Sequence, residues 1–187
     1  MTHPVTAFML QRNSTPSLSA PAPSGAVLDS IYQAALRAPD HGKLRPWRYL
    51  TIEGDALNKL GDLFAESSKL ENSNLSPEQE NKFRKMPLRA PMVIVAIAKI
   101  QANHKIPEIE QTVSLGVGVG YLLLALQAEG FGGMWRTGPL AYNKGVHKGL
   151  NLNKGEHIVG FLYVGTPEGK AKSIPQNNIS DFVARWA

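Results

Sequence analysis

The sequence predicts an α+β fold for one domain, 1–187. Helix-spaced and strand-like apolar segments alternate along the chain. They do so without a βαβ rhythm strict enough to demand a parallel, doubly wound sheet. Apolar residues make up 43% of the chain and charged residues 19%, enough for a sizeable core and too uncharged for a disordered polymer.

Each element is readable in turn. The segment from Thr15 to Gly25 is rich in Ser, Pro and Ala and reads as a loop. Ser24 can cap a helix to about Arg37 with Val27, Leu28, Ile31 and Ala35 on one side, and Pro39 and Gly42 break it. Trp47 to Glu53 reads as a strand. Asp55 can cap a second helix carrying Leu57, Leu60, Leu63 and Phe64. The polar stretch from Ser67 to Lys85 is expected to be the most mobile region, with a short helix after Pro77. Met92 to Ala98 is a continuous apolar run, as a buried strand requires. Glu110 to Gln127 reads as a long helix apolar nearly all round, which must be covered on every side; a core helix that also meets a partner subunit satisfies this. Ile158 to Val164 is a third apolar strand, and Asp181 to Ala187 a tail carrying Phe182 and Trp186.

Composition removes several functions. With no cysteine, there is no disulfide, no thiolate metal site and no cysteine nucleophile. The net charge of +5 is modest for a nucleic-acid binder and equally suits an enzyme of phosphorylated cofactors. Aromatic residues, 7% of the chain and scattered, offer no base-stacking platform, so no nucleic-acid partner is expected. The run Val113 to Ala128 is too short and glycine-rich to cross a bilayer comfortably, and the N-terminus lacks the order of a signal peptide. No membrane association and a cytoplasmic location are expected.

Familiar catalytic motifs are missing. Gly116, Gly118 and Gly120 fail the dinucleotide fingerprint, because Tyr121 stands where a third glycine belongs and no strand precedes; helix packing across Gly116 and Gly120 is favoured. The histidines, His3, His41, His104, His147 and His157, include no pair at metal-ligand helical spacing, and no metal is expected. No serine-nucleophile elbow or P-loop exists, and no catalytic acid–base residue stands out.

Three clusters remain. In Gln11-Arg12-Asn13-Ser14, Arg12 and Ser14 can grip a phosphate with paired and single hydrogen bonds. Arg37-Ala38-Pro39-Asp40-His41-Gly42, followed by Arg45-Pro46-Trp47, forms either a shaped pocket edge or simply a helix stop before a core tryptophan. Gly130 to Gly138, with Trp135, Arg136 and Thr137, permits close backbone approach to a flat ligand, or is a helix cap and tight turn.

With these clusters in this order, the chain resembles the nitroreductase family, in particular a small subgroup with an Arg-Ala-Pro-Asp-His turn, then Pro-Trp, and a Gly-Phe-Gly-Gly-x-Trp-Arg stretch. Val159 to Pro167, Arg89-Ala90-Pro91 and Asn103-His104-Lys105 also match. The similarity runs from about Phe8 to Phe182. It implies a nitroreductase-like fold: a central mixed or antiparallel sheet flanked by helices, in a homodimer of the domain-swapped type with two FMN sites at the interface. It implies that Arg12, Asn13 and Ser14 hold the phosphate and ribityl end, that Arg37, His41, Trp135, Arg136 and Thr137 contact the flavin, and that Pro46 and Trp47 line the pocket across the interface. The implied activity is ping-pong reduction of an electron-poor small molecule, such as a nitroaromatic or quinone, by NADPH or NADH. A flavin protein with another redox substrate, or with an accessory role, stays open. Lys43 and Arg45 replace amides that larger relatives direct at the flavin. No long helical excursion covers the pocket between Asn72 and Pro87.

Overall fold

A computed structural model describes residues 2–102, 105–170 and 172–186; Asn103 and His104, two of the matching positions above, lie outside the described residues. Helices α1 (Pro4–Leu10), α2 (Gly25–Ala35), α3 (Asp55–Glu71), α4 (Pro77–Lys85), α5 (Glu108–Ala128) and α6 (Lys144–Gly149) surround strands β1 (Leu18–Ser19), β2 (Trp47–Glu53), β3 (Met92–Lys99), β4 (Gly132–Arg136) and β5 (Glu156–Pro167). The strand order is β1-β5-β3-β2, with β4 also on β5. Every pairing is antiparallel, so the sheet is antiparallel, not mixed, and the α+β class holds.

β3 shows why a continuous apolar run suits a central strand. Successive side chains point to opposite faces. Val93, Val95 and Ile97 pack with Leu60 and Phe64 of α3 and with Phe161 of β5. Met92, Ile94, Ala96 and Ala98 pack with Ile31 of α2 and with Leu115, Val119 and Leu122 of α5. Burial on both faces removes the alternation a half-exposed strand would show.

Several expectations change at their boundaries. Gly54, not Asp55, is the N-cap of α3, and Asp55 is its first residue. α3 continues through Ser67 and Ser68, both buried, and Gly61 lets the end of α4 pack close against it: a Cβ there would stand 2.2 Å from the carbonyl oxygen of Arg84. The stretch expected to be most mobile is therefore largely helical. α4 begins with a reciprocal Ser76–Gln79 cap and is tied to α3 by Lys69–Glu80, 2.7 Å.

α5 has 21 residues, longer than the apolar run alone suggested, and its length and composition would suit a membrane crossing. Its packing makes it a core helix here. Gly118 is the tight contact: a Cβ would lie 2.7 Å from Tyr49 Oη and 3.0 Å from the Ala35 carbonyl oxygen. The expected packing glycines, Gly116 and Gly120, face open space. Ile109, Val113 and Tyr121 on α5 are also exposed, so one stripe of this helix is uncovered within the chain.

Candidate active site

The N-terminal cluster folds against the start of β4. Thr15 N–H donates to the Gly133 carbonyl, 3.1 Å. The Asn13 amide donates to the Lys172 carbonyl, 3.0 Å, while its oxygen accepts from Ser14 N–H, 2.9 Å. Asn13 thus clips the N-terminal segment to the chain beyond β5. A cavity of about 350 Å³ opens here, lined by Asn13, Ser14, Gly132, Gly133, Lys170 and Lys172 among others. Two ammonium groups and a hydroxyl, against the single carboxylate of Glu168, leave the cavity net positive and suit an anionic, phosphate-like end of a ligand. Arg12 is exposed and does not line it.

The glycines of this region act mainly in the fold. α5 ends in a hydrogen-bonded left-handed cap: Gly130 has φ +80°, Phe131 N–H reaches the Leu126 carbonyl at 2.8 Å, and Gly130 N–H reaches Gln127 at 3.2 Å. A Cβ at Gly132 would meet Leu18 and Thr15, and one at Gly133 would meet Leu123. Gly132 and Gly133 thus have a packing role inside the chain while also lining the cavity, and the stretch that also read as a cap and turn continues into a strand.

Trp135, Arg136 and Thr137 lie at the other end of β4, where a second cavity of about 380 Å³ also includes Arg89, Phe161 and Tyr163. The Arg136 guanidinium lies over the Tyr163 ring, 5.6 Å from its centroid. Burial is the main cause that raises the Tyr163 phenol above its ordinary value, against the lowering influence of Arg89 and Arg136. Trp135 Nε1–H donates to the Val159 carbonyl, 3.3 Å, and the indole lies where any side chain on Gly160 would sit.

The third cluster stands apart. Arg37 and His41 are exposed beyond α2, and His41 Nδ1 lies 2.7 Å from Glu110 Oε2 of α5. Pro46 is buried, its carbonyl accepting from Lys99 N–H at 3.1 Å. Trp47 instead borders a shallow cavity with Tyr32, Arg48 and Tyr49. One chain thus groups Asn13 with Ser14, and Trp135 with Arg136 and Thr137, and gathers neither group with Arg37, His41, Pro46 or Trp47. Lys170, Lys172 and Arg89 were not singled out as site residues from the sequence. The signal for the lysines was their place just beyond the last apolar strand, but lysines on a polar tail are ordinary surface residues until the Asn13 clip brings them to β4.

Comparison with known proteins agrees with the geometry. The profile described as "Nitroreductase family" matches residues 9–166. "Putative NAD(P)H nitroreductase YdjA" of Escherichia coli strain K12 is 37% identical over 166 residues, 89% of this chain and 90% of that protein. The solved nitroreductase-like family protein from Bacillus cereus superposes with a TM-score of 0.84 at 22% identity, covering 100% of this chain and 97% of that one. A variant of NfnB from Sphigopyxis sp. strain HMH, described as an FMN and NADPH-dependent nitroreductase, superposes with a TM-score of 0.78 at 16% identity, covering 98% and 99%. Antiparallel sheet, flanking helices and a match across most of the chain converge, and the protein belongs to the nitroreductase family of oxidoreductases.

Proposed function

We propose that the protein is an FMN-dependent oxidoreductase that uses NAD(P)H to reduce small, electron-poor acceptors such as nitroaromatics or quinones. The supporting observation is β4 itself, with a cationic cavity at its start and a cavity walled by arginines and aromatic rings at its end. The first cavity suits an anionic group and the second a flat aromatic one, the two chemistries that FMN combines. A second phosphate-and-adenine signature is missing from the clusters, which favours FMN over FAD.

Ser14, Lys170 and Lys172 would hold the phosphate, with Arg12 closing over it from the exposed side and Asn13 keeping the two segments together. Trp135, Arg136 and Thr137 would meet the ring end. When bound, the flavin supplies two-electron redox chemistry, accepting hydride from NAD(P)H and passing electrons to the acceptor. The chain's own tasks are to orient it, leave one face open to successive partners in a ping-pong cycle, and place hydrogen-bond donors near it. No acid–base pair of the protein is needed for that cycle.

The site is proposed to be shared between two copies, with Arg37, His41 and Trp47 supplied by the second. Two exposed apolar features support a homodimer: the uncovered stripe on α5, and the tail with Ile179, Phe182, Val183 and Trp186, which would reach across to the partner in domain-swapped fashion. Such surfaces are costly to leave in water, and a two-fold pair is the simplest closed solution. Purification with a yellow chromophore that chromatographs as FMN, bleached by NADPH or NADH, tests this reading. A colourless protein that does not take up added FMN overturns it.

A further inference from the structure

A further cavity, of about 280 Å³, lies beyond the Pro46-Trp47 turn and is lined by three cations from separate segments: Arg45, Lys99 and Lys154. Its walls are stitched together. Gln101 Nε2 donates to the Leu44 carbonyl, 3.3 Å. Ile100 N–H donates to the Gly155 carbonyl, 2.9 Å. Asn153 N–H donates to Glu156 Oε2, 2.9 Å. Glu156 is the one acidic residue in the lining, and its charge is already used: Arg48 holds both carboxylate oxygens, at 3.1 and 2.8 Å. Asp40 approaches through a bond from the Arg45 backbone N–H, 2.7 Å. Among the described residues, no ion pair is formed by Arg45, Lys99 or Lys154.

The backbone adds a second, independent observation. Lys43 and Arg45 have φ of +56° and +49°, the left-handed region that side-chain-bearing residues avoid and that Gly or Asn tolerates. Arg45 lines the cavity from this strained turn, and such local strain concentrates at functional sites.

We propose that this pocket binds a phosphate group of the nicotinamide dinucleotide. The proposal rests on the reading of the protein as an NAD(P)H oxidoreductase. Arg45, Lys99 and Lys154 supply charge and hydrogen bonds from three segments of the lining, and the pocket adjoins the Pro46-Trp47 turn. Binding of the 2′-phosphate makes the pocket selective for NADPH; binding of the pyrophosphate makes it serve both dinucleotides.

The test uses the FMN-loaded protein with Lys99→Ala and Lys154→Ala, singly and together. The double variant is expected to keep its flavin and its kcat, while KM for NADPH rises roughly 10-fold or more, as loss of charge-assisted bonds predicts. An equal rise for NADH assigns the pyrophosphate, and no rise for NADH assigns the 2′-phosphate. Calorimetric titration with 2′,5′-ADP is expected to weaken in parallel. Unchanged KM together with unchanged 2′,5′-ADP binding overturns the proposal while leaving the oxidoreductase reading intact. A wild-type flavoprotein that oxidises neither dinucleotide overturns both.

Discussion

Gly118 and Gly120 are two residues apart on α5, and the same kind of substitution at each should have opposite consequences. Gly118 faces Tyr49 and Ala35 at contact distance. Gly118→Ala gains about 1 kcal/mol of helix propensity but overpacks at a cost of about 1–3 kcal/mol. The expected net is a loss of up to about 2 kcal/mol, read as a lower midpoint of thermal unfolding. Glu156 gives a second prediction at this scale. The bonds from Arg48 are the main cause that lowers its carboxyl below the ordinary 4.5, so the pair's contribution is present above that value and is lost as pH falls through the lower, folded-state value. Glu156→Gln should destabilise the protein by about 1.5–3 kcal/mol near neutrality, with the difference from wild type shrinking in acid; chemical denaturation at several pH values checks this. At the proposed cofactor site, Arg12→Ala and Lys172→Ala should each weaken FMN binding by roughly 10- to 150-fold, measured by fluorescence quenching. Unchanged affinity in either variant removes that residue from the anchor.

At the scale of elements, α5 carries the argument for assembly. Gly120 opens onto space within the chain, so Gly120→Leu should leave the helix intact or slightly firmer, by about 0.8 kcal/mol of propensity. If the exposed stripe is the dimer contact, the bulkier side chain blocks it, and light scattering should show the variant shifting towards monomer while wild type remains a dimer. A wild-type monomer with flavin bound would contradict this assignment. Most elements were legible because their apolar spacing is distinctive: α2, β2, β3 and α5 were found from pattern alone. β4 was missed because its glycines mimic a turn, and only its pairing with β5 reveals a strand. β1, two residues long, and α6, with Gly145 and Gly149, carry too little pattern to detect. The polar stretch of α3 and α4 misled for a related reason. Ser67 and Ser68 are buried through tertiary packing, including a bond from the Asn143 amide to the Ser67 carbonyl, which no local periodicity announces.

For the whole molecule, the candidate site was legible as three ordered motifs but not as a place. Ser14 and the pair Lys170 and Lys172 are far apart in sequence and meet because Asn13, the bond from Glu168 N–H to the Ser17 carbonyl and the pairing of β1 with β5 tie the N-terminal segment to the chain at the end of β5. Arg37, His41 and Trp47 stay remote from that cavity in one chain, and a second copy is the arrangement that would complete it. The protein is proposed to be an NAD(P)H-driven, FMN-dependent oxidoreductase, and anaerobic mixing of the purified, FMN-loaded protein with NADPH or NADH, followed by visible absorbance, tests this most directly. The account predicts rapid loss of the oxidised flavin bands and their return when a quinone or nitroaromatic is added. Flavin bands that persist with both dinucleotides would contradict it.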